Sequence, residues 1–521
     1  MDSLSIGSIE GNAEANVWLV PVVYISHVRP FLRFAKQLAR HGVTVTLFCN
    51  KEDAERLGID GPNNTILGSW KREGIDFRLR DFGVEGRQIA DGLGGECDDQ
   101  TRLRLEQNKW TRAIDEQTEK FELILKWELE RGQSKPTCII SDYWCPGVHA
   151  TAVKYRVPAW VFSPFPVGCA TSVVYMSALE AKGILKLPAS PFDKEAEELI
   201  SVPGMPLMRI NELDTSSSFV TAPLYPIGKN IGPSLLQAEV VLFSTFQELE
   251  PKPVIEFKKI LTNAASKENR EAGDVYTVGP NLDLSSEGLF ESPERNGHEE
   301  KERDPCLKFL DTQAERSVLY GAFGCNWNLL PEQMQEMALG LESSGQPFLV
   351  LFPPPVRSDK YPTDDIFDVL PPDCVERIKG RGLFVQGWVP QVQILAHPAV
   401  GGFLSHCGFN SYLESVCMGV PIITWPLVCE QYMNARYIVD EIQIGIEVTK
   451  SYASASLVDR KEVETKVRAL FQSEQGKIAR KNVQKYRDLA IRSISQNGTT
   501  FNNMKTIVAR IRDLAAGRTT K

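Results

Sequence analysis

The chain has 521 residues, 42% of them hydrophobic and 24% charged; at about 150 residues per domain it is too long for one core, and it carries enough apolar side chain for two. Its 58 basic and 67 acidic residues leave a formal charge of −9, which excludes the basic footprint of a nucleic-acid binder and suits a small or neutral partner. Eleven cysteines without a C-x-x-C pair or zinc-ligand spacing are expected as reduced cytosolic thiols.

Residues 1–16 are polar and lack the basic and apolar regions of a secretory signal, so a frayed tail is expected. Residues 17–25 (VWLVPVVYI) form the near-continuous apolar run of a strand buried on both faces. A helix over residues 28–40 follows, with Phe31, Leu32, Ala35, Leu38 and Ala39 on one face and Arg29, Arg33, Lys36 and Arg40 on the other. Gly42 stops it and residues 43–48 (VTVTLF) read as the next strand, completing a βαβ unit. The alternation returns at residues 137–141, 159–162 and 240–243, and residues 275–280 (VYTVGP) read as a strand closed by Gly-Pro.

Residues 285–304 are polar and charged and read as an exposed linker. A second series begins at residues 318–323, followed by a helix from Pro331 that buries Met334, Met337, Ala338 and Leu341 and ends at Gly345. Further strands are expected at 348–352, 401–405, 420–424 and 445–448. Residues 477–514 read as helix that packs back across the domains. No run approaches the ~20 apolar residues of a membrane span, and no repeat of 20 to 50 residues is present. The fold class is therefore α/β: two doubly wound, Rossmann-like units facing each other across a cleft, with ligands at the carboxyl ends of the strands. The division is 1–280, a linker 281–304, and 305–497, with a C-terminal helix at about 498–521 returning to the first unit.

The strongest local signal is residues 388–431, WVPQVQILAHPAVGGFLSHCGFNSYLESVCMGVPIITWPLVCEQ. A strand running through His406, Cys407 and Gly408 into a helix opened by Asn410 and Ser411 makes an anion site, because unpaired amides and the positive helix end face the ligand. Glu414 would repel phosphate and suits vicinal ribose hydroxyls. Trp388, ahead of a Pro turn, can stack on a base. Glu430 and Gln431 offer acceptor and donor groups to sugar hydroxyls. Taken singly each has a bland reading: a core Trp, a routine N-cap, a solvated Glu, an ordinary helix start.

As an ordered set the segment resembles, over its full length, the donor signature of the plant family 1 UDP-glycosyltransferases, which implies the GT-B fold. The resemblance puts Trp388 on uracil with Val389 and Gln391 bordering it, His406, Gly408, Asn410 and Ser411 on the diphosphate, Glu414 on the ribose, and Glu430 with Gln431 on the hexose. A terminal Gln favours glucose. Phe409 stands where the family usually has Trp. Residues 309–345, including SVLYGAFGC, are similar to the family's start of the second domain, with Cys325 in place of a Ser, leaving backbone amides toward phosphate. TFQELEP (245–251) and VPGMP (202–206) match further family stretches.

Moving a glycosyl group to a hydroxyl needs a base. His27, at the carboxyl end of the first strand, faces the cleft and matches the family's catalytic His, although YIS replaces the usual glycine-rich loop before it. Asp142, in CIISDYW, matches the Asp that orients that His, its alternative reading being a helix N-cap. The other histidines (His41, His149, His298 and His397) read as structural or exposed.

The expected reaction is a single displacement that inverts α to β, with UDP-glucose as co-substrate, no cofactor, and no metal, since no Asp-x-Asp is present. The acceptor, a flavonoid or other phenolic, is expected against Trp144, residues 163–169 including Ser163 and Phe165, and residues 91–107, with Phe162 and Tyr175 as further aromatic lining. Another donor sugar, or a terpenoid or hormone acceptor, is the alternative. A cytoplasmic monomer without nucleic-acid or membrane partners is expected. A dinucleotide oxidoreductase would need G-x-G-x-x-G after a strand, which neither the Ser26 nor the Gly324 turn supplies. A non-catalytic UDP-sugar sensor would lack His27 or Asp142.

Overall fold

Short apolar runs separated by amphipathic helices assemble into two parallel sheets. The computed structural model describes residues 15–59, 66, 68, 70, 73, 75–82, 99–131, 135–184, 198–213, 225–282, 304–324, 329–357, 360–448 and 457–518. The first sheet comprises β1 (Asn16–Val20), β2 (Thr44–Phe48), β3 (Phe77–Arg80), β4 (Cys138–Asp142), β5 (Ala159–Ser163), β8 (Val240–Phe243) and β9 (Asp274–Thr277). A two-stranded antiparallel ladder of β6 (Leu199–Ile200) and β7 (Met208–Arg209) lies in the chain between β5 and β8. The seven strands run β3-β2-β1-β4-β5-β8-β9, all pairs parallel. Strands β2, β4, β5 and β8 are buried along their whole length, as an apolar run covered on both faces requires.

The second sheet comprises β10 (Val318–Ala322), β11 (Phe348–Phe352), β12 (Gly382–Gln386), β13 (Val400–Ser405), β14 (Ile422–Thr424) and β15 (Gly445–Glu447), ordered β12-β11-β10-β13-β14-β15 and again parallel. In each sheet the order reverses beside its first strand, between β1 and β4 and between β10 and β13. The crevice outside the strand ends at such a switch point is where doubly wound sheets bind ligands.

Three local expectations are corrected. The first strand ends at Val20 rather than residue 25, and the helix starts at Ile25, so His27 sits in its first turn and not at the strand end. Pro21, lacking an amide hydrogen, closes the ladder. The edge strands β3 and β12 were not anticipated. The stretch 477–514 is two helices, Glu474–Ile494 and Thr499–Ala515, broken at Gly498, and a further helix, Arg460–Gln472, precedes them, the Ser473 hydroxyl capping the Gly476 amide between.

The last of these helices returns to the first sheet. Met504, Ile507, Val508 and Ile511 join the core of β1, β2 and the helix Ile25–Arg40. Asn503 donates to the Thr277 carbonyl at 2.9 Å, Arg510 pairs with Asp274, and Arg512 donates to the His41 carbonyl at 2.7 Å. Among the described residues no helix is long and apolar enough to cross a membrane.

Candidate functional site

The switch point of the first sheet holds a buried pair. His27 and Asp142 are 4% and 1% exposed, and His27 Nδ1 lies 2.7 Å from Asp142 Oδ2. The carboxylate also accepts the Trp144 amide at 2.9 Å on Oδ1 and the Val22 amide at 3.4 Å on Oδ2. Asp142 therefore holds the imidazole and the turn after β4, but it is not the helix N-cap: the helix Pro146–Lys154 starts from Cys145, and the Asp142 carboxylate stops at the Trp144 amide. An acceptor-only carboxylate accepts a hydrogen bond from Nδ1–H, the tautomer that leaves the basic lone pair on Nε2.

Aromatic rings surround the pair. Phe165 meets the His27 ring edge-on at 5.1 Å, Tyr143 meets Phe165 at 5.5 Å, and Trp144 adjoins Tyr143 at 6.1 Å. Ser163 spends its hydroxyl on the Phe165 backbone, accepting its amide at 3.3 Å and donating to its carbonyl at 3.1 Å. Of the expected acceptor residues, Phe165 touches the imidazole, Ser163 shapes the loop that carries Phe165, and Trp144 is buried behind Tyr143. Residues 91–98 lie outside the described residues, as do the side chains of 99–107.

The second switch point brings together the residues expected to bind the donor. β13 ends at Ser405, and Cys407 takes φ +66° to turn the chain into the helix Phe409–Met418, with Gly408 as its N-cap. The His406 ring is clamped between two glycines: a Cβ at Gly408 or Gly324 would lie 2.5 or 2.8 Å from its Nε2. Gly324 also holds φ +76°, a second reason for glycine there. Burial lowers the His406 pKa to about 4, so the ring is neutral near neutral pH. Phe409 is buried in the core against Tyr412, ring centroids 5.8 Å apart.

Gln391 ties Tyr320, Ser411 and Glu414 together. Its amide nitrogen donates to Ser411 Oγ at 3.0 Å and Glu414 Oε2 at 2.8 Å, while its oxygen accepts from the Tyr320 hydroxyl at 3.2 Å. Glu414 is fully buried; burial raises its pKa, but the Arg33 and Arg29 charges with hydrogen bonds from Arg33 and Gln391 outweigh burial and hold it below the usual range. Trp388 is 64% exposed at the rim and Val389 is buried beside it. Gln431 is 8% exposed, and its side-chain oxygen accepts the Leu427 and Val428 amides at 2.9 and 3.0 Å, which leaves the NH₂ end for a ligand. Glu430 is buried beside it, and Asn434 on the same helix donates to the Cys407 carbonyl at 2.9 Å, tying this corner to the His406 turn. Cys325 lies outside the described residues.

The two halves meet at these residues. Asn410 Nδ2 donates to the Ser26 carbonyl at 2.9 Å, which brings the start of the helix Phe409–Met418 to the residue preceding His27. Ser172 approaches the Met433 sulfur at 3.5 Å, Tyr437 donates to the Leu249 carbonyl at 3.0 Å, and Arg436 pairs with Glu212 at 2.8 Å. Sequence reasoning missed Tyr143, Arg29 and Arg33. The arginines stood in plain view as the polar side of an amphipathic helix, but nothing local tells such a face from one that meets another lobe.

Comparison with known proteins gives a family and a fold. A family model described as UDP-glucoronosyl and UDP-glucosyl transferase matches residues 297–477. UDP-glycosyltransferase 73C3 of Arabidopsis thaliana is 30% identical, with 95% of this chain and 96% of that protein covered. Scopoletin glucosyltransferase of Nicotiana tabacum is 27% identical over 96% and 98%. Among solved structures, Medicago truncatula UGT71G1 complexed with UDP-glucose superposes with a TM-score of 0.75 at 24% identity, covering 96% of this chain and 98% of that one, and shows the same fold. This chain thus belongs to the plant family 1 UDP-glycosyltransferases, and is an enzyme that moves a glycosyl group from a UDP-sugar to a plant small molecule.

Proposed function

We propose that the enzyme is an inverting O-glucosyltransferase that uses UDP-glucose and attacks with a phenolic hydroxyl, a flavonoid being the leading acceptor. The observation that carries this reading is the His27 Nδ1 to Asp142 contact of 2.7 Å, one residue from the 2.9 Å contact between Ser26 and the donor helix at Asn410. His27 Nε2 takes the acceptor proton as the oxygen attacks the anomeric carbon from the face opposite UDP, and Asp142 stabilises the imidazolium that forms.

The departing diphosphate lies against the first amides of the helix Phe409–Met418, with Asn410, Ser411, Gly408 and the neutral His406 around it. A helix end and fixed donors stabilise the developing charge without a metal in this scheme. Trp388 stacks on uracil, with Val389 and Gln391 at its edge, and Glu414 receives the ribose hydroxyls. Glu430 accepts from the hexose hydroxyls and the NH₂ of Gln431 donates to them, a pairing that favours glucose. Phe165 and Tyr143 supply aromatic surface beside the base, and Trp144 and Ser163 set the loops behind them, which suits a flat phenolic ring. The enzyme acts as a cytoplasmic monomer in this reading. Residues 1–280 bind the acceptor and residues 305–497 the donor, joined by the linker 281–304.

The test is incubation of the purified protein with UDP-glucose and a panel of phenolics, terpenoids and hormones, followed by mass spectrometry. A gain of one hexosyl unit on phenolics supports the proposal. Transfer confined to another donor sugar or to non-phenolic acceptors contradicts it.

A further inference from the structure

Three residues on one stripe of the helix Ile25–Arg40 reach into the opposite half of the molecule. The Ser26 carbonyl accepts from Asn410 at 2.9 Å, the Arg29 guanidinium lies 4.9 Å from the centroid of the Trp388 ring, and Arg33 Nη2 lies 2.6 Å from Glu414 Oε1. Spacings of three and four residues place such side chains on one helix face. The two arginines fall on the two groups read above as the nucleoside seat, the indole for the base and the carboxylate for the ribose.

The carboxylate is closed off. The Glu414 side chain has no exposed surface, one oxygen held by Arg33 and the other by Gln391 at 2.8 Å, whereas the Arg33 side chain keeps 21% exposure. A ribose therefore cannot reach Glu414 unless Arg33 withdraws, and the guanidinium over Trp388 occupies a face on which a base would stack. The outlet for Arg33 is short, because its side chain already borders solvent.

We propose that Arg33, assisted by Arg29, is an interlobe latch that holds the nucleoside seat shut in the unliganded enzyme and is displaced by the ribose hydroxyls of the incoming UDP-sugar. This rests on the reading of Trp388 and Glu414 as that seat. Apparent affinity for nucleotide is then lowered by the fraction of enzyme latched, and removing the latch tightens binding. A purely structural ion pair does the opposite, since its loss destabilises the site and leaves affinity equal or weaker.

The experiment is calorimetric titration of UDP into the full-length enzyme and its Arg33→Gln, Arg33→Lys and Arg29→Ala variants, with melting temperatures recorded for each. Arg33→Gln should bind UDP about fivefold tighter or more while melting lower without ligand. Arg33→Lys, which keeps the charge, should stay near wild type, and Arg29→Ala should show a smaller gain with the ion pair intact, a readout that survives if Arg33→Gln does not fold. Unchanged or weaker UDP binding in Arg33→Gln, or in Arg29→Ala should the former not fold, overturns the latch. Adding Glu414→Gln to the Arg33→Gln background separates the two readings: weaker UDP binding there confirms the ribose contact whatever Arg33 does, and no change refutes the seat itself.

Discussion

Replacing Asp142 by Asn removes one charge and reverses one hydrogen-bonding group at the centre of the site. The carboxylate meets three donors, His27 Nδ1 at 2.7 Å, the Trp144 amide at 2.9 Å and the Val22 amide at 3.4 Å, and an amide offers only one oxygen. If that oxygen stays on the Trp144 amide, the NH₂ faces Nδ1 and the imidazole must move its proton to Nε2, which abolishes the base. If the oxygen turns to Nδ1, two N–H groups confront each other beside Trp144 in a buried site, at about 1–3 kcal/mol. Either way the imidazolium loses its counter-charge. The expected loss is about 10³-fold in kcat, equivalent to about 4 kcal/mol of transition-state stabilisation. Initial-rate assays with UDP-glucose and the best phenolic acceptor measure it, with UDP affinity followed in parallel and expected to stay within about twofold. A kcat within fivefold of wild type, in a folded variant, would refute the orienting role of Asp142.

Two further outcomes follow from the same contacts. Glu250 is fully buried under the helix Val167–Ala181, where its carboxylate accepts the Gly168 amide at 3.1 Å, and burial raises its pKa from 4.5 to about 7 despite that bond. The folded state thus keeps a proton that the unfolded chain releases near pH 4.5, so stability falls between about pH 4.5 and 7, and the full penalty of about 3 kcal/mol applies above 7. Glu250→Gln should raise the melting temperature at pH 8 and change it little at pH 4.5; an equal shift at both pH values refutes the linkage. Gln431→His should lower the kcat/KM ratio of UDP-glucose to UDP-galactose about tenfold, because imidazole cannot both accept the Leu427 and Val428 amides and present an NH₂ to the sugar. An unchanged ratio removes the residue from sugar recognition.

What the sequence revealed divides along physical lines. Strands covered on both faces were legible as apolar runs, and residues 240–243 and 348–352 were bounded to the residue. The edge strands were not: Phe77–Arg80 is FRLR and Gly382–Gln386 is mostly half-exposed, so neither has a continuous apolar signature. The early start of the helix at Ile25 was hidden because VVYI is equally apolar as strand or helix, and only Pro21 marks the break. The turn from Ser405 to Phe409 was readable because strand, turn and helix N-terminus are contiguous in the chain. The pairing of Arg33 with Glu414 was not, since 381 positions separate them and only the closure of two lobes brings them together.

The most direct test of the account measures transfer and nucleotide binding side by side in His27→Ala. Product formation from UDP-glucose is expected to fall about 10²–10⁴-fold, the contribution of a positioned general base, while calorimetric UDP affinity stays within about threefold of wild type. Retained turnover in His27→Ala would contradict the claim that this imidazole takes the acceptor proton.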